Sequence, residues 1–413
     1  MKYSVFAASE QNTTGGVGTL QVNAFVNTIA RPAEGATVRI YDATHNATLE
    51  ELTTDAAGQL PPVNLPAPPL DYSMSPDQPR PFNEYSLHVK LEGTQQVVIN
   101  NVQVYPDSVA VQNVVLRPTY QIIDIPYPVL WGDYPPKIPE AEIKPITPTN
   151  LVVLPKPVVP EFVVVHAGRP NDQTAPNYTV GFKEYIKNVA SSEIYATWPV
   201  EALKANILAM LSFTLNRVYT EWYRGKGYDF TVTNSTAFDQ AFTYGRNIFR
   251  EISEVVDDIF ATYIARPDVL QPLFTQYSDG RKVVRDGWLS QWGSKGLADQ
   301  GLTALQILRN YYGRDIELRQ AEKVEGIPLS FPGEVLGIGS SGDAVRTIQE
   351  QLNAIAKNYP LIGTVAADGA YGDATAQAVK TFQRIFDLPV TGQVNFPTWY
   401  KISDVFVAVK NLA

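Results

Sequence analysis

The chain has no cysteine and only three histidines, His45, His88 and His166, scattered through its 413 residues. The first absence excludes disulfides, thiolate catalysis and cysteine-based metal sites, and it leaves the compartment open. The second, with no His-Glu-x-x-His or comparable spacing, makes a zinc hydrolase a poor fit, so no metal ligands and no cofactor are expected. No apolar run is long enough to cross a bilayer. Met1 to Val26 carries one early lysine but neither a continuous apolar stretch nor a small-residue cleavage site, and reads as the start of a domain rather than a signal peptide. A basic surplus is missing too. Against 33 Lys and Arg stand 42 Asp and Glu, a net charge of -9, which disfavours nucleic acid and gives no attraction to an anionic membrane.

What is present has the balance of ordinary globular protein, 45% hydrophobic and 18% charged, at a length that suggests about two to four domains. Residues 1–117 read as all-β. Leu20, Val22, Ala24 and Val26 alternate with other positions, as do Val38 with Ile40, Leu87 with Val89 and Leu91, and Val97 with Ile99. Turn signals such as Gly15-Gly16, Asp55-Ala56-Ala57-Gly58 and Glu92-Gly93 separate them, and the spacing predicts a small antiparallel sandwich. Residues 118–160 hold eleven of the 31 prolines, a composition that favours extended backbone and excludes helix and central strand. This is a linker or strap open to proteolysis.

Residues 161–328 read as a mixed, mainly α region. Phe162 to Val165 is a strand candidate. A helix follows Pro199, with Val200, Leu203, Ile207, Met210, Leu211, Thr214, Val218 and Trp222 at helical spacing, and it stops at Gly225-Lys226-Gly227. Further helices are predicted around Ile248 to Ile264 and Leu302 to Tyr312. Residues 332–413 alternate helical stripes (Val345, Ile348, Leu352, Ile355) with Gly-bearing loops at Gly339-Ser340-Ser341-Gly342, Asp368-Gly369-Ala370-Tyr371-Gly372 and Thr391-Gly392.

One carboxylate stands apart. Tyr185, Ile186 and Val189 form an apolar stripe, and Glu193 continues it at i+4 just before the Pro-initiated helix. Burial among apolar groups disfavours the charged form, which suits a carboxyl to donate a proton near neutral pH. As residue type alone, a solvated glutamate in a helix–helix turn is the blander reading.

The surrounding motifs carry more. Ser192-Glu193-Ile194 followed by Trp198-Pro199-Val200-Glu201-Ala202-Leu203-Lys204-Ala205 resembles the signature of the stage II sporulation protein D-like lytic transglycosylases, whose Glu is the catalytic acid. Ser290-Gln291-Trp292-Gly293 through Gly301, then Ile307-Leu308-Arg309-Asn310-Tyr311-Tyr312-Gly313, is similar to a second stretch of that family, in the right order. The resemblance implies Glu193 as the catalytic residue and Ser290, Gln291 and Trp292 as substrate-binding residues, with Tyr277 and Arg285 as lesser candidates. A tight turn packed into the core is the alternative for Ser290 to Trp292. The chain also departs from the pattern: the family's Gly-His-Gly reads Val284-Arg285-Asp286, its helix Arg falls on Leu211, and Thr233-Asn234-Ser235-Thr236 stands where some relatives carry Cys and His.

Residues 332–413 closely resemble the three-helix peptidoglycan-binding type 1 domain; with 6 Lys and Arg against 7 Asp and Glu, recognition there would rest on hydrogen bonds and stacking. Gly35 to Tyr41 with Thr54 to Leu60 looks like the carboxypeptidase regulatory-like sandwich. The order of parts, together with Tyr134 to Pro145, Val159 to His166 and Phe213 to Glu221, resembles the clostridial spore-cortex-lytic enzymes. That resemblance implies a zymogen located in the spore cortex or coat region, acting on cortex peptidoglycan in germination. Its N-terminal portion would be removed by a subtilisin-like Csp protease that cuts near Asn150 to Pro160. Two other readings stay open: an N-acetylmuramoyl-L-alanine amidase, against which the shortage of metal-type ligands counts, and a catalytically silent wall-binding spore protein, which the lost His and Arg would allow.

Overall fold

The computed structural model describes residues 15–27, 31–42, 47–127, 156–321, 323–325 and 331–410. The start of the chain, His45, the Tyr134 to Pro145 motif and most of the proposed cleavage region therefore lie outside the described residues. Two compact units emerge, one comprising Met1–Asn27, Pro32–Pro126 and Gly245–Asn247, the other Thr28–Arg31, Tyr127–Tyr244 and Ile248–Ala413.

The first unit is built of strands β1 (Gly16–Val26), β2 (Thr37–Asp42), β3 (Thr48–Thr53), β4 (Val63–Ala67), β5 (Asn83–Lys90), β6 (Val97–Val104), β7 (Val109–Leu116) and β8 (Gln121–Asp124). The alternating residues Leu20, Val22, Ala24, Val38, Ile40, Leu87 and Val89 are buried, as period-2 patterning requires. One sheet runs in the order β3-β2-β5-β6-β8, and in the other β1 lies beside β4 and β7. The pairing is not wholly antiparallel as the sequence suggested: β1 with β7 and β6 with β8 are parallel. Strand β8 lies within the Pro-rich stretch but at a sheet edge, where a nearby proline costs no ladder bond. Gly245–Asn247 belongs to this unit through hydrogen bonds. Asn247 donates to the Gln103 carbonyl (3.1 Å), Arg246 to the Gln103 side chain (3.2 Å), and Gln112 to the Gly245 carbonyl (3.0 Å).

The second unit continues with β9 (Val158–Val159), β10 (Phe162–His166), β11 (Asn177–Gly181), α1 (Phe182–Glu193), α2 (Val200–Tyr219), β12 (Val232–Thr233), β13 (Ile248–Phe249), α3 (Arg250–Ile259) and β14 (Thr262–Ala265). Then come β15 (Tyr277–Ser278), β16 (Leu289–Ser290), α4 (Gln291–Asp299), α5 (Ala304–Tyr312), β17 (Glu317–Gln320) and β18 (Lys323–Val324). Helix α2 is the central element and is buried almost all round, from Ala205 to Arg217. Pro199 is its N-cap, an end where the missing N–H of proline is harmless. The helix expected around Ile248 to Ile264 is shorter, because Thr262, Tyr263 and Ile264 enter a strand antiparallel to β17. Helix α5 starts at Ala304 behind Thr303, whose side chain forms a capping box with Gln306.

The C-terminal helices α6 (Asp343–Ile355), α7 (Asp373–Ile385) and α8 (Phe396–Lys410) surround a core that includes Val345, Leu352, Val379, Phe382 and Trp399. Two buried glutamines fasten its glycine loops. Gln349 donates to Asp368, the Ala370 carbonyl and Thr375 and accepts from the Gly369 N–H; Gln383 donates to Thr391, the Gln393 carbonyl and Thr398 and accepts from the N–H groups of Thr391 and Gly392. Within the same unit α8 meets the helices of the middle region. The ring of Phe260 lies 5.3 Å from Phe396 and 5.1 Å from Tyr400, Lys183 pairs with Asp404, and Arg250 reaches Asp387 at 3.0 Å.

Candidate active site

Glu193 is the last residue of α1, and Ile194 leaves the helix in extended backbone. The turn Tyr195 to Pro199 then feeds α2, closed by the Trp198 N–H on the Tyr195 carbonyl (3.1 Å). Glu193 is wholly buried, and its Oε1 accepts the Ala241 N–H at 2.7 Å. The segment after Ala241 lies along α1. Phe242 stacks on Tyr185 (5.8 Å between rings), and Thr243 and Asn188 exchange two hydrogen bonds at 2.7 and 3.0 Å.

Behind Ala241 is a buried polar network. Gln240 accepts from Tyr185 (3.1 Å) and Thr214 (2.7 Å) and donates to Tyr277 (3.0 Å) and the Met210 carbonyl (3.2 Å). Asp239 receives Arg217 Nε at 2.8 Å, the Tyr223 hydroxyl at 2.7 Å, and both the N–H and hydroxyl of Thr233 at 2.8 and 2.9 Å. The Arg217 guanidinium is surrounded by the rings of Phe213, Trp222, Tyr223 and Phe274 at 4.8–5.7 Å. Burial, and then the negative charges of Asp239 and Glu193, push the Tyr185 phenol well above its ordinary range, so it stays a donor at any physiological pH.

The other sequence candidates separate. Trp292 is half-buried, with its ring 4.9 Å from Trp198 and 5.7 Å from Tyr195, so it joins the turn that follows Glu193. The Ser290 hydroxyl is taken up as the N-cap of α4, accepting from the Gly293 N–H at 2.9 Å. Gln291 is fully buried, and neither atom of its side-chain amide has a partner. A buried amide left open in this way calls for a missing polar group. Tyr277 falls inside the Gln240 network, whereas Arg285 lies exposed on a loop. Leu211, at the family's Arg position, is core. His166 bonds Asn177 and the Arg169 carbonyl and stacks on Phe230, and among the described residues no His, Cys, Asp and Glu side chains group as a metal site. Sequence reasoning missed Asp239, Gln240 and Ala241. The available signal was Arg217, a charge that follows the largely apolar run Ile207 to Leu215 and requires a buried partner.

A buried carboxylate at a helix end with an N–H aimed at it, next to a turn packed with aromatic rings, is a candidate acid–base centre. Residues 171–258, from before α1 to near the end of α3, match the stage II sporulation protein family, and residues 341–402 match the peptidoglycan binding domain family. Together these matches support a cell-wall enzyme of sporulation or germination, and their combination in one chain fits a spore cortex-lytic enzyme with a peptidoglycan-binding domain. Among solved structures, the SleB N-terminal domain is 30% identical over 19% of this chain and 99% of that one, with a TM-score of 0.17. Klebsiella pneumoniae 5-hydroxyisourate hydrolase is 21% identical over 24% of this chain and 91% of that one, also with a TM-score of 0.17. No curated protein matches the chain.

Proposed function

We propose that the chain is the latent form of a lytic transglycosylase that degrades spore-cortex peptidoglycan, with Glu193 as general acid and base. The observation that carries this reading is the Glu193 carboxylate, enclosed at the end of α1 and held by the Ala241 N–H inside the segment that matches the sporulation family. Glu193 protonates the glycosidic oxygen between N-acetylmuramic acid and N-acetylglucosamine as positive charge develops on the sugar ring. It then takes the proton of the muramoyl C6 hydroxyl, which closes on the anomeric carbon to form the 1,6-anhydro ring. Because the nucleophile is the sugar's own hydroxyl, one carboxylate serves where a hydrolase uses two. Trp292, half-buried against the enclosed rings of Trp198 and Tyr195, offers a ring to the sugars, and Gln291 the open amide.

Full enclosure of the acid supports latency. The segment that carries the Ala241 N–H also bonds along α1 through Thr243 and Asn188. In this reading a subtilisin-like protease cuts the Pro-rich strap and removes the N-terminal portion. The test compares strap-cleaved native protein with cleaved Glu193→Gln on purified spore cortex, with soluble fragments read by mass spectrometry. Anhydromuramic ends are expected from the native protein, with a loss of about 10²–10⁴-fold in the variant. Free stem peptides would indicate an amidase instead, and binding to cortex without release a silent wall-binding protein.

A further inference from the structure

The loop between β15 and β16 and the end of α5 enclose a separate pocket of about 330 Å³, lined by Arg285, Asp286, Trp288, Ser290, Asn310 and Tyr311 among others. Its floor is tightly built. A Cβ on Gly280 would lie 1.7 Å from the Ser290 hydroxyl, and one on Gly293 would lie 2.2 Å from the Tyr311 hydroxyl, so glycine alone permits this packing. The Asp279 carboxylate accepts the backbone N–H groups of Arg281, Lys282 and Val283, each at 3.1 Å, and the Ser278 hydroxyl donates to the Val283 carbonyl at 2.6 Å. Gly287, at φ 77°, turns the chain just before the Trp288 ring.

The rim is unoccupied by the protein's own interactions. Among the described residues the side chains of Arg285, Asp286, Trp288 and Asn310 take part in no hydrogen bond, ion pair or ring contact. A half-buried indole face, a guanidinium, a carboxylate and an amide thus converge on one cavity with no net charge. An indole face suits the apolar face of a pyranose, and the three planar polar groups supply donors and acceptors for hydroxyl and acetamido groups. The pocket is also continuous with the acid site along the chain. Trp288 stands four residues before Trp292, at most about 14 Å of extended backbone, and Trp292 packs on the turn after Glu193.

We propose that this pocket is a second carbohydrate subsite, which seats one N-acetylhexosamine of a glycan strand whose neighbouring sugars extend toward the Glu193 site. The proposal rests on the glycan reading given above but needs no catalysis for its test, since the pocket is open in the intact chain. Full-length protein labelled with 5-fluorotryptophan is titrated with tetra-N-acetylchitotetraose and followed by fluorine NMR. The Trp288 resonance, assigned by its absence in Trp288→Phe, should shift saturably, and binding read at that resonance should weaken at least tenfold in Arg285→Ala and Asn310→Ala. A Trp288 resonance that does not move up to 10 mM sugar (roughly the weak end of specific binding), or that shifts equally in Arg285→Ala and Asn310→Ala, overturns the subsite. Neither result touches the assignment of Glu193, which stands or falls on the products released from cortex.

Discussion

Replacing Asp239 by asparagine keeps its shape and removes its charge, leaving the Arg217 guanidinium buried without its anion. Both side chains are fully buried, and removing one partner of such a pair costs about 3–5 kcal/mol. For a unit of this size each kcal/mol lowers the melting temperature by about 2–4 °C, so Asp239→Asn should melt about 6–20 °C below the native chain. The reverse change, Arg217→Met, should cost less, because Asp239 retains the Tyr223 hydroxyl and both Thr233 donors. A double-mutant cycle in guanidinium should give a coupling of at least about 1.5 kcal/mol. Since Asp239 stands two residues before Ala241, the strap-cleaved variant should also lose activity at temperatures where it is still folded. Additive single costs, or a cost for Asp239→Asn below about 1 kcal/mol, would refute the coupling of this buried pair.

Lys187 Nζ and Asp257 form a second buried pair at 2.8 Å. Burial opposes the Asp257 charge, but Lys187, Lys183 and Lys401 outweigh it and hold the carboxyl below its usual range. A carboxyl depressed in the folded state stabilises above its unfolded value of about 4 and loses that contribution as pH falls through the folded value. The gap in melting temperature between native and Asp257→Asn should therefore be widest near pH 6 and close below about pH 4; a gap constant with pH would contradict this. In the C-terminal domain Gln349→Leu deprives Gly369 and Ala370 of backbone partners and should cost about 2–4 kcal/mol by urea titration. Thr303→Ala removes a capping box at an exposed helix start and should cost about 1 kcal/mol, concentrated as faster amide exchange in the first turn of α5.

Local features were the most legible in the sequence. The stripe behind Glu193, the start of α2 at Pro199 and the three C-terminal helices follow from spacing and capping signals, which act within a few residues. Partnerships set by the tertiary fold were not. Alternation marks Leu20 to Val26 as a strand, yet nothing in it says that the neighbour is Val109 to Leu116, some ninety residues on and parallel. The apolar spacing of Ile259, Phe260 and Ile264 suited a continuing helix, until pairing with Glu317 to Gln320 claimed Thr262 to Ala265 as a strand. At the candidate site the acid was visible, but its donor was not, because a backbone N–H such as that of Ala241 has no residue-type signature. Ser290 and Gln291, adjacent in one motif, separate into a helix cap and an open buried amide only when the fold is known.

The seam between α8 and the middle helices has a consequence for movement on the wall. Phe260 against Phe396 and Tyr400, with the Lys183–Asp404 and Arg250–Asp387 pairs, packs α8 and the turn after α7 onto α1 and α3. A flexible leash would let a bound enzyme sweep every bond within its radius at high effective concentration. A rigid mount presents one bond at a fixed offset from each anchoring point, so the next cut requires the anchor to release first. For an enzyme of the proposed activity, wall affinity would then set the pace of digestion, and tighter binding would slow it.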